Sequence, residues 1–115
     1  MGYTHYWRNK VSFTDAEWNT MVERFNKEVL PFYDIAGPDS HGVPIVDRNK
    51  IFFNGTEKDG ACESLVFHKK AIDFEFCKTR RLPYDAAVVK TLKIAREVHP
   101  QIQLSSDGGP EVFEN

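Results

Sequence analysis

The stretch "FEFCKTRRLPYD", residues 74–85, holds the densest chemistry in the chain. Lys78, Arg80 and Arg81 stand just ahead of an expected helix start, where unpaired N–H groups and the helix dipole favour anions. Thr79 adds a hydroxyl donor, and Tyr84 offers a ring to stack on a base or sugar. The group fits a site for a small phosphorylated or nucleotide-like ligand. It is not a Walker loop, because GxxxxGK[ST] is absent. A C-x5-R phosphatase loop fails as well, since Pro83 stands where the arginine belongs. The competing reading is solvated surface charge around a core tyrosine.

The opening "YTHYW" is the second candidate. On a strand, Tyr3, His5 and Trp7 share one face, with Thr4 and Tyr6 on the other. Such a row of rings suits a planar ligand, as in nucleic-acid binders built on sheets. His5 would supply an acid or base near neutral pH. The recognition signature of the common RNA-binding sheet domain is missing, and core packing is the competing reading. Ser105, Ser106 and Asp107 would close the same pocket, and the loops carrying Asp47, Asn54 and Glu63 are where specificity would reside.

Metal and nucleophile signals are weaker. His5, His41, His68 and His99 are scattered, and Cys62 and Cys77 fit no metal-ligand spacing, so no metal and no cofactor are expected. The cations after Cys77 would lower its thiol pKa. Asp73 and Glu75 share a strand face about 7 Å apart, a separation open to acid–base work. Neither feature has a local signature, so a small hydrolase or transferase ranks behind a binding protein.

Several elements must position these residues. Thr14 and Glu17 form a capping box, and Phe13 and Trp18 a hydrophobic staple. They open a helix over about 14–31 whose stripe is Trp18, Met21, Val22, Phe25 and Val29. Residues 35–50 read as a Gly/Pro loop with a short strand near 43–46, followed by a hairpin of "KIFFNG" and "ESLVFHK". The alternation in "DFEFCKT" sets Phe74, Phe76 and Lys78 against Asp73, Glu75, Cys77 and Thr79. A second helix begins near Pro83 and ends at Pro100, with His99 at its C-terminal cap, before a last strand "QIQLSSD". Residues 110–115 read as a partly ordered tail of a single domain spanning 1–115. The class is α+β: an antiparallel sheet of four to five strands with two amphipathic helices on one face, ferredoxin-like or a variant. The other sheet face is left to solvent, to a second copy of the chain, or to a partner.

The 17 acids and 15 bases nearly cancel to −2, which makes nucleic acid an unlikely partner on overall charge. No run approaches the roughly 20 apolar residues of a membrane span, and the start lacks a secretory h-region. With free thiols, this points to a reducing cytoplasm.

"MGYTHYW", "FNG", "FEFCKTRRLPYD" and "SSDG" together resemble a family of small bacterial and tailed-phage proteins without an assigned activity. The resemblance implies a phage or mobile-element origin in a bacterial host cell. It also implies a counter-defence role, in which the protein sequesters a nucleotide signal or, alternatively, acts as an inhibitor module on a host protein. It carries no catalytic residues with it.

Overall fold

Thr14 and Glu17 begin the first helix as their spacing predicts. The Thr14 hydroxyl accepts the Glu17 N–H at 3.0 Å, and the Glu17 carboxylate accepts the Thr14 N–H at 2.9 Å. Phe13 meets Trp18 edge-on at 5.3 Å, which completes the staple. In this computed structural model, which describes residues 2–114, helix α1 runs Asp15–Glu28 and buries Trp18, Met21 and Phe25. It stops short of the expected residue 31 because the position before Pro31 resists helical backbone. The chain instead turns, with the N–H groups of Phe32 and Tyr33 folding back to the Val29 carbonyl.

Helix α2 spans Asp85–Val98, two residues later than the sequence suggests. Pro83 sits in the preceding turn, closed by the Asp85 N–H on the Leu82 carbonyl at 2.8 Å. His99 caps the far end through its backbone N–H on Ala95. Its ring turns inward, stacks on Phe13 at 4.4 Å, and hydrogen-bonds Glu17 and the Val11 carbonyl. One side chain thus ties the end of α2 to the start of α1.

The strands are β1 (Thr4–Asn9), β2 (Ile35–Ala36), β3 (Ile45–Val46), β4 (Lys50–Gly55), β5 (Leu65–His68), β6 (Ile72–Lys78) and β7 (Gln103–Ser106). They form two antiparallel sheets, of three and four strands. In the first, β1 is central between β6 and β7. In the second, β4 pairs with β5 and with the short β2 and β3. The β4–β5 hairpin matches the sequence reading. The division into two sheets does not appear in the alternation of any strand. It arises where β6 ends the smaller sheet: the outward backbone groups of Lys78 are taken by Glu63, whose N–H donates to the Lys78 carbonyl at 3.0 Å and whose carboxylate accepts the Lys78 N–H at 2.8 Å.

The core is aromatic. Phe67 touches Trp7, Phe13 and Trp18 at centroid separations of 5.9, 5.7 and 6.2 Å, and Phe25 meets Phe53 at 5.6 Å. Toward this core β1 sends His5 and Trp7 and β6 sends Cys77, all buried. The opposite face of the same sheet carries Tyr6, Phe74 and Phe76. Phe74 is 46% exposed and Phe76 52%. The alternation of β6 was therefore readable, but its apolar side faces out. A short 3-10 helix, Pro110–Phe113, follows β7 and buries Phe113 against His5. Among the described residues no helix is long and apolar enough to cross a membrane.

Candidate functional site

The turn after β6 is hooked onto the residue that leads into β1. The N–H groups of Thr79 and Arg80 both donate to the Tyr3 carbonyl, at 2.9 and 3.3 Å. To make the turn, Arg80 and Arg81 adopt φ of 57° and 59°. That left-handed region costs a residue with a Cβ roughly 1 kcal/mol or more. Glycine or asparagine would be the ordinary choice there, yet both positions hold arginine. The Arg81 guanidinium lies 4.2 Å from the centroid of the Tyr3 ring, a cation–π contact. Gly2, Tyr3, Arg80, Arg81 and Asp107 line an open hollow of about 540 Å3. The Asp107 carboxylate is already engaged, accepting the Thr4 N–H and the Tyr6 hydroxyl at 3.0 Å each.

Beneath this hollow runs a chain of hydrogen bonds. His5 Nε2 lies 2.6 Å from Asp85 Oδ1, and the Thr79 hydroxyl donates to the same oxygen at 2.5 Å. His5 Nδ1 lies 2.9 Å from Ser106 Oγ, which also accepts the Gly108 N–H at 3.0 Å. An ionised carboxylate only accepts, so the network places a proton on Nε2, facing Asp85. Burial by itself would raise the Asp85 carboxyl. The hydrogen bonds from His5 and Thr79, with the nearby charge of Arg81, outweigh it and hold the group below the usual carboxylate range. The rings of Tyr3 and Phe113 enclose His5 edge-on at 5.2 and 5.6 Å. Gly108 has a steric reason to be glycine, since a Cβ there would lie 2.2 Å from the Tyr3 hydroxyl.

Of the residues singled out in the sequence, Tyr3, Arg80 and Arg81 converge on the hollow. Lys78 stays exposed beside it, its stem against Gly2. His5, Trp7, Thr79 and Tyr84 do not reach the surface, so direct ligand contact by these four is corrected to an interior role. Trp7 packs on Phe67. Tyr84 donates its hydroxyl to the carbonyls of Glu63 and Lys78 at 2.6 and 3.2 Å, and burial pushes its phenol pKa up. Thr79 and His5 position Asp85. Asp107 joins the hollow at the end of β7, where the sequence placed a closing segment. Asp85 was not singled out, and Ser106 was named as part of the closing segment but not as the partner of His5. An acid in the first turn of a helix was a visible signal for Asp85. Ser106 stands opposite His5 only through the β1–β7 register, which the sequence does not show.

The other candidates resolve into structural roles. Cys77 is fully buried, and its thiol is pushed up to about 12 by burial first and then by Glu63, Cys62 and Asp85. The expected lowering by neighbouring cations fails because Lys78 and Arg80 point to solvent. Asn54 donates to the Cys62 carbonyl and Ser64, and Asp47 accepts the N–H groups of Asn49 and Lys50, so both hold their own loops. Among the described residues no group of three or more His, Cys, Asp or Glu side chains is arranged to hold a metal.

No protein-family model, curated protein or solved structure matches this chain. Any functional assignment therefore stands on the geometry.

Proposed function

We propose that this protein binds a small phosphorylated, nucleotide-like ligand in the hollow between Tyr3 and the Arg80–Arg81 turn. The observation that carries the reading is the pair of adjacent arginines held at positive φ on the rim of one concavity, one of them stacked on a tyrosine. Guanidinium groups pair with phosphate oxygens through two parallel N–H donors, and a half-buried ring lining the same hollow suits a base or sugar. The carboxylate chain below fixes the turn without neutralising both cations. In a bacterial host, such a binder would act in counter-defence by removing a nucleotide signal from solution.

Thermal unfolding against a panel of nucleotides and cyclic dinucleotides tests this. A ligand present at a hundred times its Kd stabilises the fold by about 2.7 kcal/mol. Arg81→Ala should weaken the same ligand by roughly tenfold to a hundredfold, given what a charge-assisted hydrogen bond is worth. A panel that leaves wild-type unfolding unchanged at millimolar concentration rules the reading out.

One observation favours a second reading, a small hydrolase. Ser106, His5 and Asp85 stand in the order nucleophile, base and orienting acid, with both links at hydrogen-bond distance. In that reading Ser106 Oγ attacks an ester of phosphate, and its proton passes to His5 Nδ1 while Asp85 balances the imidazolium. The leaving oxygen takes the proton, and water then frees the serine by the reverse path. A fluorophosphonate probe should add one mass equivalent to the wild type and none to Ser106→Ala. An unlabelled wild type ends the hydrolase reading.

A further inference from the structure

The outward face of the three-stranded sheet carries an aromatic group that the hollow does not use. Tyr6 on the central strand stands opposite Phe76 on β6, and its ring lies 6.0 Å from Phe74 at an interplanar angle of 24°. Phe74 and Phe76 are 6.1 Å apart, and both are about half exposed. The Arg8 guanidinium sits 5.3 Å from the Phe74 ring centroid. A shallow groove of about 210 Å3 runs alongside, over Tyr6, Arg8, Phe74 and Ser105. Exposed phenylalanines on a sheet are unusual, because alternation normally turns the apolar side of a half-buried strand inward.

This face is continuous with the hollow. Along β6 the outward row reads Phe74, Phe76, Lys78, and Lys78 lies against Gly2 at the hollow's edge. On the central strand, the Tyr6 hydroxyl donates to Asp107, which lines the hollow. Rings therefore lead into cations along a single surface. Arg8, Lys78, Arg80 and Arg81 flank the rings at both ends, and the two carboxylates beside them are already bonded, Asp107 to the Thr4 N–H and the Tyr6 hydroxyl and Glu63 to the Lys78 N–H. The net charge of −2 describes the whole chain and does not describe this surface.

We infer that the aromatic face stacks the bases of a single-stranded nucleic acid whose phosphate enters the hollow. This rests on the reading of the hollow as a phosphate site and extends it from one nucleotide to several. Unpaired bases present flat π faces that rings accept whatever the sequence, whereas bases within a duplex are stacked on one another and cannot lie on the sheet. Cations at the ends of the row meet the backbone phosphates. A second copy docked face to face would set cation against cation, which disfavours self-association through this surface.

The test is fluorescence anisotropy with a labelled, mixed-sequence DNA of about eight nucleotides, a length within known single-strand site sizes. It is run beside the mononucleotide assay on the hollow. Phe74→Ala and Phe76→Ala lie on the surface and should leave thermal unfolding intact. Each is expected to weaken the oligonucleotide roughly tenfold, with the salt dependence unchanged and mononucleotide binding unaffected. Arg8→Gln should instead flatten the slope of log K against log salt by about 0.7. An oligonucleotide that binds no tighter than a mononucleotide, or that ignores both phenylalanines, overturns the inference and leaves the hollow's reading standing. Absence of binding by either probe overturns both. Ring-dependent oligonucleotide binding that ignores Arg80→Ala and Arg81→Ala keeps the stacking face and removes the hollow. A concentration-dependent dimer dissolved by the two phenylalanine substitutions assigns the face to a second copy and overturns the inference.

Discussion

Phe67→Ala is expected to unfold at markedly lower urea, with a loss of about 3–5 kcal/mol, the range for truncating a buried phenylalanine. Phe67 is 1% exposed and joins β5 to the ring of β1's Trp7, to Phe13 and to α1's Trp18. Few residues touch so many elements at once. Its removal opens a cavity between the hairpin and the first helix, and neither the Trp7 nor the Trp18 indole can swing to fill it without leaving its own contacts. For a chain of this size the loss corresponds to a fall of roughly 10–20 °C in Tm. Phe67→Leu keeps most of the volume and should cost less than about 1.5 kcal/mol. Tryptophan fluorescence during urea unfolding reads both variants. Near-identical midpoints for alanine and wild type would mean that this aromatic cluster does not hold β1, β5 and α1 together.

Asp85→Ala should give the second large effect. The carboxylate accepts from His5 and Thr79, and its loss leaves the His5 N–H and the Thr79 O–H buried without an acceptor. Hydrogen bonds to a charged group contribute about 1.5–3 kcal/mol, so a loss of about 3 kcal/mol is expected, and Asp85→Asn, which retains one acceptor, should lose roughly half of that. The pH dependence follows from the sign of the shift. The folded carboxyl titrates below its unfolded value near 3.9, so the unfolded chain takes up the proton first as pH falls. The contribution is fully present at neutral pH and is lost progressively from about pH 4 downward. Glu28, held down to about 2 by the hydrogen bond from Arg24, titrates in the same direction. Wild type should therefore show a falling acid limb, and Asp85→Ala a shallower one. Equal acid limbs would count against the His5–Asp85 bond.

Local rules made much of the fold legible. Thr14 and Glu17 mark the first helix because a capping box acts over four residues, and the β4–β5 hairpin declares itself by two apolar runs around a polar turn. What stayed hidden depends on contacts between distant segments. The alternation of β6 says that Phe74 and Cys77 point opposite ways, but not which way is in. That depended on the β1–β6 register, which sets Cys77 beside the buried His5. The meeting of Tyr3 with Arg81 rests on backbone bonds from Thr79 and Arg80 to the Tyr3 carbonyl. The turn and the opening segment singled out in the sequence do meet at one hollow. Ring count was no guide to exposure, since four of the eight chosen residues, His5, Trp7, Thr79 and Tyr84, are needed inside.

Glu63 has a consequence for life at high protein concentration. A strand with bare amide and carbonyl groups invites a stranger's strand to zip alongside it, and runaway β-assembly starts from such borders. Beside two exposed phenylalanines the hazard would be acute. By taking both the N–H and the carbonyl of Lys78, one glutamate covers that border at the end of β6, so a stranger's strand finds no free backbone group there to pair with.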